Sequence, residues 1–342
     1  MRPTLACPKA VCLKTPNLLD NWIFTLLAIG PAEISVVIPV YNGAASIAQV
    51  VARVAAVFAD KRLEIVLIDD GSADDSEQVC RGLAERSDGQ IIFVQLSRNF
   101  GEHNAVLAGL TQTHAPLVAV LDDDGQNPPE ELPAMLAELQ RRGLDVVYGQ
   151  YIERQHSWSR RVGSWFNDRV ADVMLRKPRG LYLSSFKVMN RFIVDEIVKY
   201  VGPYPYIDGL ICRTTSRLGQ IPVKHAPRLA GRSNYTFTKL IRLWFNMFLG
   251  FSIIPLRITS LVGLIIAASS FLWLAIIIVD KLWITPGVTL GIPSVLACIV
   301  LFSGVQLAVM GMIGEYLGRV FLASNGQPQY IVRYAIGRAQ KP

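Results

Sequence analysis

The chain has 342 residues, 51% of them hydrophobic and only 18% charged, with a formal net charge of +7. That length holds one sizeable domain with appendages, and the apolar content is high for a purely soluble protein. Cys7, Cys12, Cys80, Cys212 and Cys298 form no C-x-x-C pair and have no histidine companions, so neither a zinc module nor a disulfide framework is indicated; no recognition motif accompanies the positive charge, so no nucleic-acid partner is expected.

Residues 1–32 contain one apolar run, Trp22–Ile29. It is too short to span a bilayer and lacks a small-residue cleavage pattern, so it reads as a loosely ordered or interfacial lead-in. From Glu33 to Tyr151 short apolar runs alternate with helical stretches. ISVVIPV (34–40), LEIVLIDD (63–70), IIFVQLS (91–97), PLVAVL (116–121) and DVVYGQY (145–151) predict five strands. Helices are predicted between them near 45–59, 75–86, 104–113 and 129–142. Near-continuous apolar strands separated by helices imply an α/β domain, a mostly parallel sheet covered on both faces. This domain is expected over 33–234.

A segment rich in Phe, Trp and Leu with Lys239 and Arg242 follows, and 235–257 is expected to be an interfacial amphipathic helix. Ile258–Val279 then runs 22 residues and Ile292–Gly314 runs 23, both without a charge. Each is long enough to cross a hydrocarbon core of about 30 Å as a helix. A two-helix transmembrane hairpin is therefore expected, with 315–342 as a tail. Lys239, Arg242 and Arg257 on one flank and Arg319, Arg333 and Arg338 on the other place both flanks, and the large domain, in the cytoplasm. Gly304, Gly311, Gly314 and Gly318 suit close helix packing, within the hairpin or in a homo-oligomer.

In parallel sheets, ligands bind beyond the carboxyl ends of the strands. Those ends carry Pro39-Val40-Tyr41-Asn42, Asp69-Asp70-Gly71-Ser72, Ser97-Arg98-Asn99-Phe100-Gly101 and Asp122-Asp123-Asp124. Polar and acidic groups thus converge on one edge. A dinucleotide-binding dehydrogenase needs G-x-G-x-x-G after the first strand, and the chain reads Y-N-G-A-A-S there; it has no P-loop either.

Taken in order, IPVYN (38–42), IDDGS (68–72), RNFG (98–101) and LDDDGQNPPE (121–130), followed by the membrane hairpin, resemble the family 2 inverting glycosyltransferases of GT-A fold. Within that family the pattern is similar to the polyprenyl-phosphate glycosyltransferases: bactoprenol glucosyltransferases, the undecaprenyl-phosphate aminoarabinose transferase and dolichyl-phosphate mannose synthases. The resemblance implies transfer of a sugar from a UDP- or GDP-sugar to undecaprenyl phosphate at a bacterial inner membrane. A departing diphosphate needs a hard dication, Mg²⁺ or Mn²⁺, held by one or two carboxylates. D-x-D puts alternate side chains on one side of an extended segment, so Asp122 and Asp124 reach one site.

By resemblance Asp124 and Gln126 contact the metal, and Asp122 the metal or the donor sugar. Asp123 belongs to the same donor-binding stretch, its side chain expected to point away. Asp70 is expected to accept from the base, with Pro39, Tyr41 and Ile68 packed around base and ribose. Arg98 and Asn99 suit ribose or diphosphate. Arg154, Arg160, Arg228, Arg232 and Ser233 are expected around the acceptor phosphate, or else the arginines of the 154–179 segment lie on anionic lipid.

The chain departs from the family pattern twice: Leu181 stands where many relatives carry an acid, and Asn234 where they carry a lysine. A polyprenyl phosphate has a second pKa of about 6 and brings its own negative charge, so no strong base is required, and Asp208 is the substitute acid if one is needed. Two alternatives stay open: transfer to another lipid hydroxyl such as diacylglycerol, and a non-catalytic sugar-nucleotide-binding module.

Overall fold

The computed structural model describes residues 31–151 except 88, 178–226 except 179 and 225, scattered positions from 261 to 272, and 292–337 except 327. Eight strands form one sheet: β1 (Ile34–Val40), β2 (Leu63–Asp69), β3 (Ile91–Leu96), β4 (Leu117–Val120), β5 (Val146–Tyr151), β6 (Lys187–Asn190), β7 (Leu218–Val223) and β8 (Val332–Ile336). Their order across the sheet is β7-β5-β6-β4-β1-β2-β3-β8. The strands β1 to β4 pair in parallel, as do β5 and β7. Only β6, wedged between β4 and β5, and β8, at the edge beside β3, run antiparallel to their neighbours.

All five predicted strands form, each within a residue or so of its expected limits. The helices α1 (Ile47–Val57), α2 (Ser76–Glu85), α3 (Glu102–Thr111) and α4 (Leu132–Arg142) connect them, α4 being entered through a 3-10 turn at Pro129–Glu131. Beyond them come α5 (Arg191–Ile197), α6 (Ile207–Thr214) and α7 (Ile292–Ser324). Strand side chains alternate between two cores. Val36, Ile38 and Val40 pack with Ile47, Val50 and Val54 of α1 and Leu136 of α4, whereas Val37 and Ile68 pack with Leu107 and Ala108 of α3 and Ile211 of α6. Alternation on a strand buried on both faces makes the whole strand apolar.

Pro39 shows how the sheet opens. Pairing between β1 and β4 ends at Val37 opposite Val120, with one further bond from the Leu121 amide to the Val37 carbonyl. Pro39 lies two residues on and turns the same edge of β1 towards the place β4 has left. Its missing N–H therefore costs no ladder bond, and a gap opens between the two strand ends.

The segment after α7 is not a free tail. β8 pairs with β3, the Tyr334 hydroxyl donates to Glu77 at 2.7 Å, and the Gln329 amide donates to the carbonyls of Tyr200 at 2.9 Å and Gly202 at 2.6 Å. Helix α7 covers 292–314 and continues to Ser324, 33 residues in all. Several of its side chains lie outside the described residues, and among the described residues no helix is long and apolar enough to cross a membrane. Most of the lead-in, the interfacial segment 235–257 and most of 258–279 lie outside the described residues.

Helix α3 approaches the sheet at Gly109, where a Cβ would fall 2.5 Å from both Ile68 Cδ1 and Val37 Cγ1. Gly109→Val should destabilise the domain by about 1–3 kcal/mol through overpacking, read as a lower unfolding temperature in detergent.

Candidate active site

The gap between β1 and β4 widens into a cleft of about 580 Å³ at the carboxyl ends of the strands, the place where the strand order reverses. Pro39 and Tyr41 from β1, Asp70 after β2, Asn99, Gly101 and Glu102 leading into α3, and Asp122, Asp123 and Asp124 after β4 line one part of it. Tyr151 at the end of β5 and the stretch Tyr182–Ser185 close the other. Among these described residues there are five carboxylates and no lysine, arginine or histidine.

Hydrogen bonds between the loops fix the acids in place. Asp70 accepts the Phe100 amide at 2.7 Å on one oxygen and the Gly101 amide at 2.8 Å on the other. Burial nevertheless pushes its pKa up to about 6, against the lowering effect of those two bonds. Asp69 is fully buried behind it and accepts the Ser72 hydroxyl and amide. Gly71 between them has a φ of +66° and sits so close to the Arg98 backbone that a Cβ would lie 2.5 Å from its carbonyl carbon. Glycine is required there both by the left-handed conformation and by the contact.

After β4, Asp122 Oδ2 accepts the Asn127 amide at 2.9 Å and the Ser185 hydroxyl at 2.6 Å. Burial first, and the nearby Glu102 carboxylate second, raise its pKa to about 7. Asp124 accepts its neighbour Gln126's amide at 3.0 Å.

Most of the expected donor-binding residues therefore converge: Pro39, Tyr41, Asp70, Asn99 and Asp122 to Asp124 all line the cleft. Others are placed differently. Ile68 is fully buried, packed in the core against α3, because strand alternation turns it from the cleft. Arg98 is exposed and stacks over the Phe100 ring at 4.9 Å, and it is not among the lining residues. Asp123 does not point away; it accepts the Tyr41 amide at 3.1 Å and so pins the β1 exit. The Asp70 carboxylate holds the β3–α3 loop with both oxygens and also lines the cleft. Gln126 is not in the lining either; its backbone binds Asp124, and its carbonyl accepts the Ala226 amide.

Asp208 is a further correction. Only 7% exposed, it pairs with the buried Lys187 and accepts the Tyr148 hydroxyl at 3.1 Å. A carboxylate so committed, and absent from the lining, serves as a buried ion pair and not as a base facing the cleft. Leu181 is likewise buried, with no acid at that position. The acceptor residues Arg154, Arg160, Arg228, Arg232 and Ser233 lie outside the described residues. Sequence reasoning missed Glu102, Asn127, Tyr151 and Ser185. Ser185 lies within the LYLSSFK stretch already singled out, and Asn127 within QNPPE, so position near the motifs was the available signal.

The sequence pattern described as Glycosyl transferase family 2 matches residues 35–198. An undecaprenyl-phosphate 4-deoxy-4-formamido-L-arabinose transferase from Proteus mirabilis is 34% identical over 321 residues, 91% of this chain and 95% of that protein. The chain belongs to glycosyl transferase family 2. The transferase of the same description from Edwardsiella ictaluri is also 34% identical, over 90% of this chain and 95% of its own. A crystal structure of glucosyl-3-phosphoglycerate synthase from Mycobacterium tuberculosis with uridine diphosphate is similar at a TM-score of 0.48 and 18% identity, covering 69% of this chain and 84% of that one.

This glycosyltransferase carries its acids at a cost to its own stability. A free carboxyl titrates near 3.8, and Asp122 in the folded protein near 7. Between those values the folded state holds a proton that the unfolded chain releases, so stability from this group is present at low pH and is lost as pH rises through 7. Without added metal, Asp122→Asn should melt at a higher temperature than the parent at pH 8, and the difference should shrink at pH 5. Differential scanning calorimetry at the two pH values checks this.

Proposed function

We propose that the enzyme transfers a sugar, with inversion, from a nucleoside diphosphate sugar to undecaprenyl phosphate, with Mg²⁺ or Mn²⁺ bound in the cleft. The observation that carries this reading is the cleft's lining, which among the described residues has five carboxylates and no cationic side chain. An anionic diphosphate cannot enter such a surface alone. The donor set is hard oxygen throughout, which suits these dications. Among the described residues no three His, Cys, Asp or Glu side chains converge as a metal-holding group. A cation there would be held by one or two carboxylates and completed by diphosphate oxygens and water.

Asp122 and Asp124 would hold the ion, which when bound neutralises the charge that develops on the departing diphosphate. Pro39 and Tyr41 form the wall for the nucleoside, with Asn99 near the ribose and diphosphate. An acceptor phosphate oxygen attacks the anomeric carbon as the bond to the diphosphate oxygen breaks. No proton has to be removed from a phosphate dianion, which fits a described cleft wall with no histidine or lysine and with Leu181 and Asp208 withdrawn from it. Positioning and charge neutralisation then carry the reaction. Arg154, Arg160, Arg228, Arg232 and Ser233 are the residues proposed for the acceptor phosphate.

The relatives' names support undecaprenyl phosphate as acceptor and make 4-deoxy-4-formamido-L-arabinose the first donor sugar to try. The charge-free runs 258–279 and 292–314 support a membrane hairpin that keeps the cleft at the cytoplasmic face of the inner membrane. Along α7 the described apolar side chains Ile299, Leu307, Met310 and Leu317 are 57–69% exposed, surface suited to lipid or to a second copy.

Purified enzyme with Mn²⁺, undecaprenyl phosphate and a panel of labelled nucleotide sugars should form a lipid-linked sugar. Chelation by EDTA should abolish this and Mn²⁺ restore it. Asp124→Asn should lower kcat/KM about a hundredfold or more. Full turnover after chelation would refute the metal, and transfer to diacylglycerol in preference to the lipid phosphate would refute the acceptor.

A further inference from the structure

Asp122 is held by residues that none of the sequence motifs marked. Two donors, the Asn127 amide and the Ser185 hydroxyl, fall on the same oxygen, Oδ2, at 2.9 and 2.6 Å. Among the described residues neither bond falls on Oδ1. Two bonds to one oxygen fix the plane of a carboxylate and reserve the other oxygen.

Asn127 is itself buried, with 1% exposed. With Asp122 ionised, as a cation would hold it, the Asn127 amide can satisfy both ends only one way round, because an ionised carboxylate accepts and does not donate. The NH₂ group therefore faces Asp122, and the carbonyl turns to Tyr151, whose hydroxyl donates to it at 2.6 Å. Tyr151 is the last residue of β5 and lines the cleft, edge-on to Tyr182 with ring centroids 5.9 Å apart. The Tyr182–Ser185 stretch is anchored in turn: the Tyr182 amide donates to Gln220 at 2.6 Å, and the Ser184 hydroxyl to the carbonyls of Gly149 and Phe186. Three separate segments, the β4–α4 loop, the end of β5 and the approach to β6, thus meet on one carboxylate.

We propose that Asn127, Ser185 and Tyr151 are positioning residues for Asp122, presenting its Oδ1 to a divalent cation, and that Tyr151 acts through Asn127. This rests on the reading of Asp122 as a metal carboxylate. Partners at one remove from a metal orient its ligand, and losing one typically weakens the metal about 10–100-fold. Tyr151→Phe removes a single hydroxyl and leaves the ring in the wall, and pairing it with Asn127→Ala isolates the bond between the two.

The test is a double-mutant cycle read by Mn²⁺ affinity, measured by electron paramagnetic resonance on the full chain in detergent without donor or acceptor. Tyr151→Phe, Ser185→Ala and Asn127→Ala should each weaken Mn²⁺ about tenfold, with melting temperatures checked alongside. The double variant Tyr151→Phe/Asn127→Ala should bind no more weakly than Asn127→Ala alone, since the two residues form one chain. In turnover, Tyr151→Phe should lower kcat at saturating donor when Mn²⁺ is limiting and recover as Mn²⁺ is raised.

Losses that multiply in the double variant would show that Tyr151 acts on its own and overturn the relay. Unchanged Mn²⁺ affinity in all three single variants, or no Mn²⁺ binding by the parent, would overturn the positioning role. A parent that binds Mn²⁺ yet transfers no sugar would refute the proposed reaction while leaving the cycle readable.

Discussion

Same-sign charge packed into the gap between β1 and β4 is the constraint on which the rest of the structure depends. Three carboxylates elsewhere in the domain show the ordinary arrangement, acids matched by donors from neighbouring elements. Glu64 accepts Ser35 at 2.5 Å and the His114 amide and ring at 2.9 Å; Asp145 accepts Asn190 at 2.8 Å and Thr215 at 2.5 Å; Asp208 has Lys187. These acids join strands and helices and need nothing from outside. In the cleft the balance is different. Asp70 and Asp122 are recessed enough to hold protons up to about pH 6 and 7, and the charged side chains among the described lining residues are all acidic. Stability is given up there, a pattern that belongs to sites built for a ligand.

The loops that carry these acids are hydrogen-bonded to one another without any ligand. The Asn42 amide donates to Ser72, the Ala73 amide donates to Asn42, and the Gly43 amide donates to Ser76. Asp123 reaches back to Tyr41 and Asp70 to Phe100 and Gly101. Each strand exit is thereby bonded to the next one along the sheet edge. Pre-organisation of this kind lets a site stabilise developing charge without rearranging during the reaction. Gly71 is part of the same device, since the IDDGS turn can approach the RNFG turn only without a side chain.

The return of the chain after α7 has a mechanical consequence. Its far end is tied to the domain by β8, paired with β3, and by Gln329, bonded to the Tyr200 and Gly202 carbonyls. β8 also covers the edge of β3, leaving fewer unpaired backbone groups open to another strand.

The five strands and four helices of the first half were legible because a strand buried on both faces must be apolar throughout, and a parallel sheet delivers every strand's carboxyl end to one edge. Asp69, Asp70, Asp122 and Asp124 could be assigned to a common site on that ground alone. β6 was not legible: KVMN is four residues long and begins with a lysine, buried only because Asp208 arrives from α6. β8 is similar, five residues whose strand character comes from pairing with β3 across more than 200 residues of sequence. Local pattern likewise did not say that Ile68 faces α3, that Asp123 turns back to Tyr41, or that Asn127, Ser185 and Tyr151 join on Asp122. The sequence by itself thus determined the first five strands, their acidic edge and the apolar runs, since these follow from periodicity and strand direction. Which oxygen of which acid is left facing the cleft was decided only by tertiary structure, because that depends on donors brought from loops far apart in the chain.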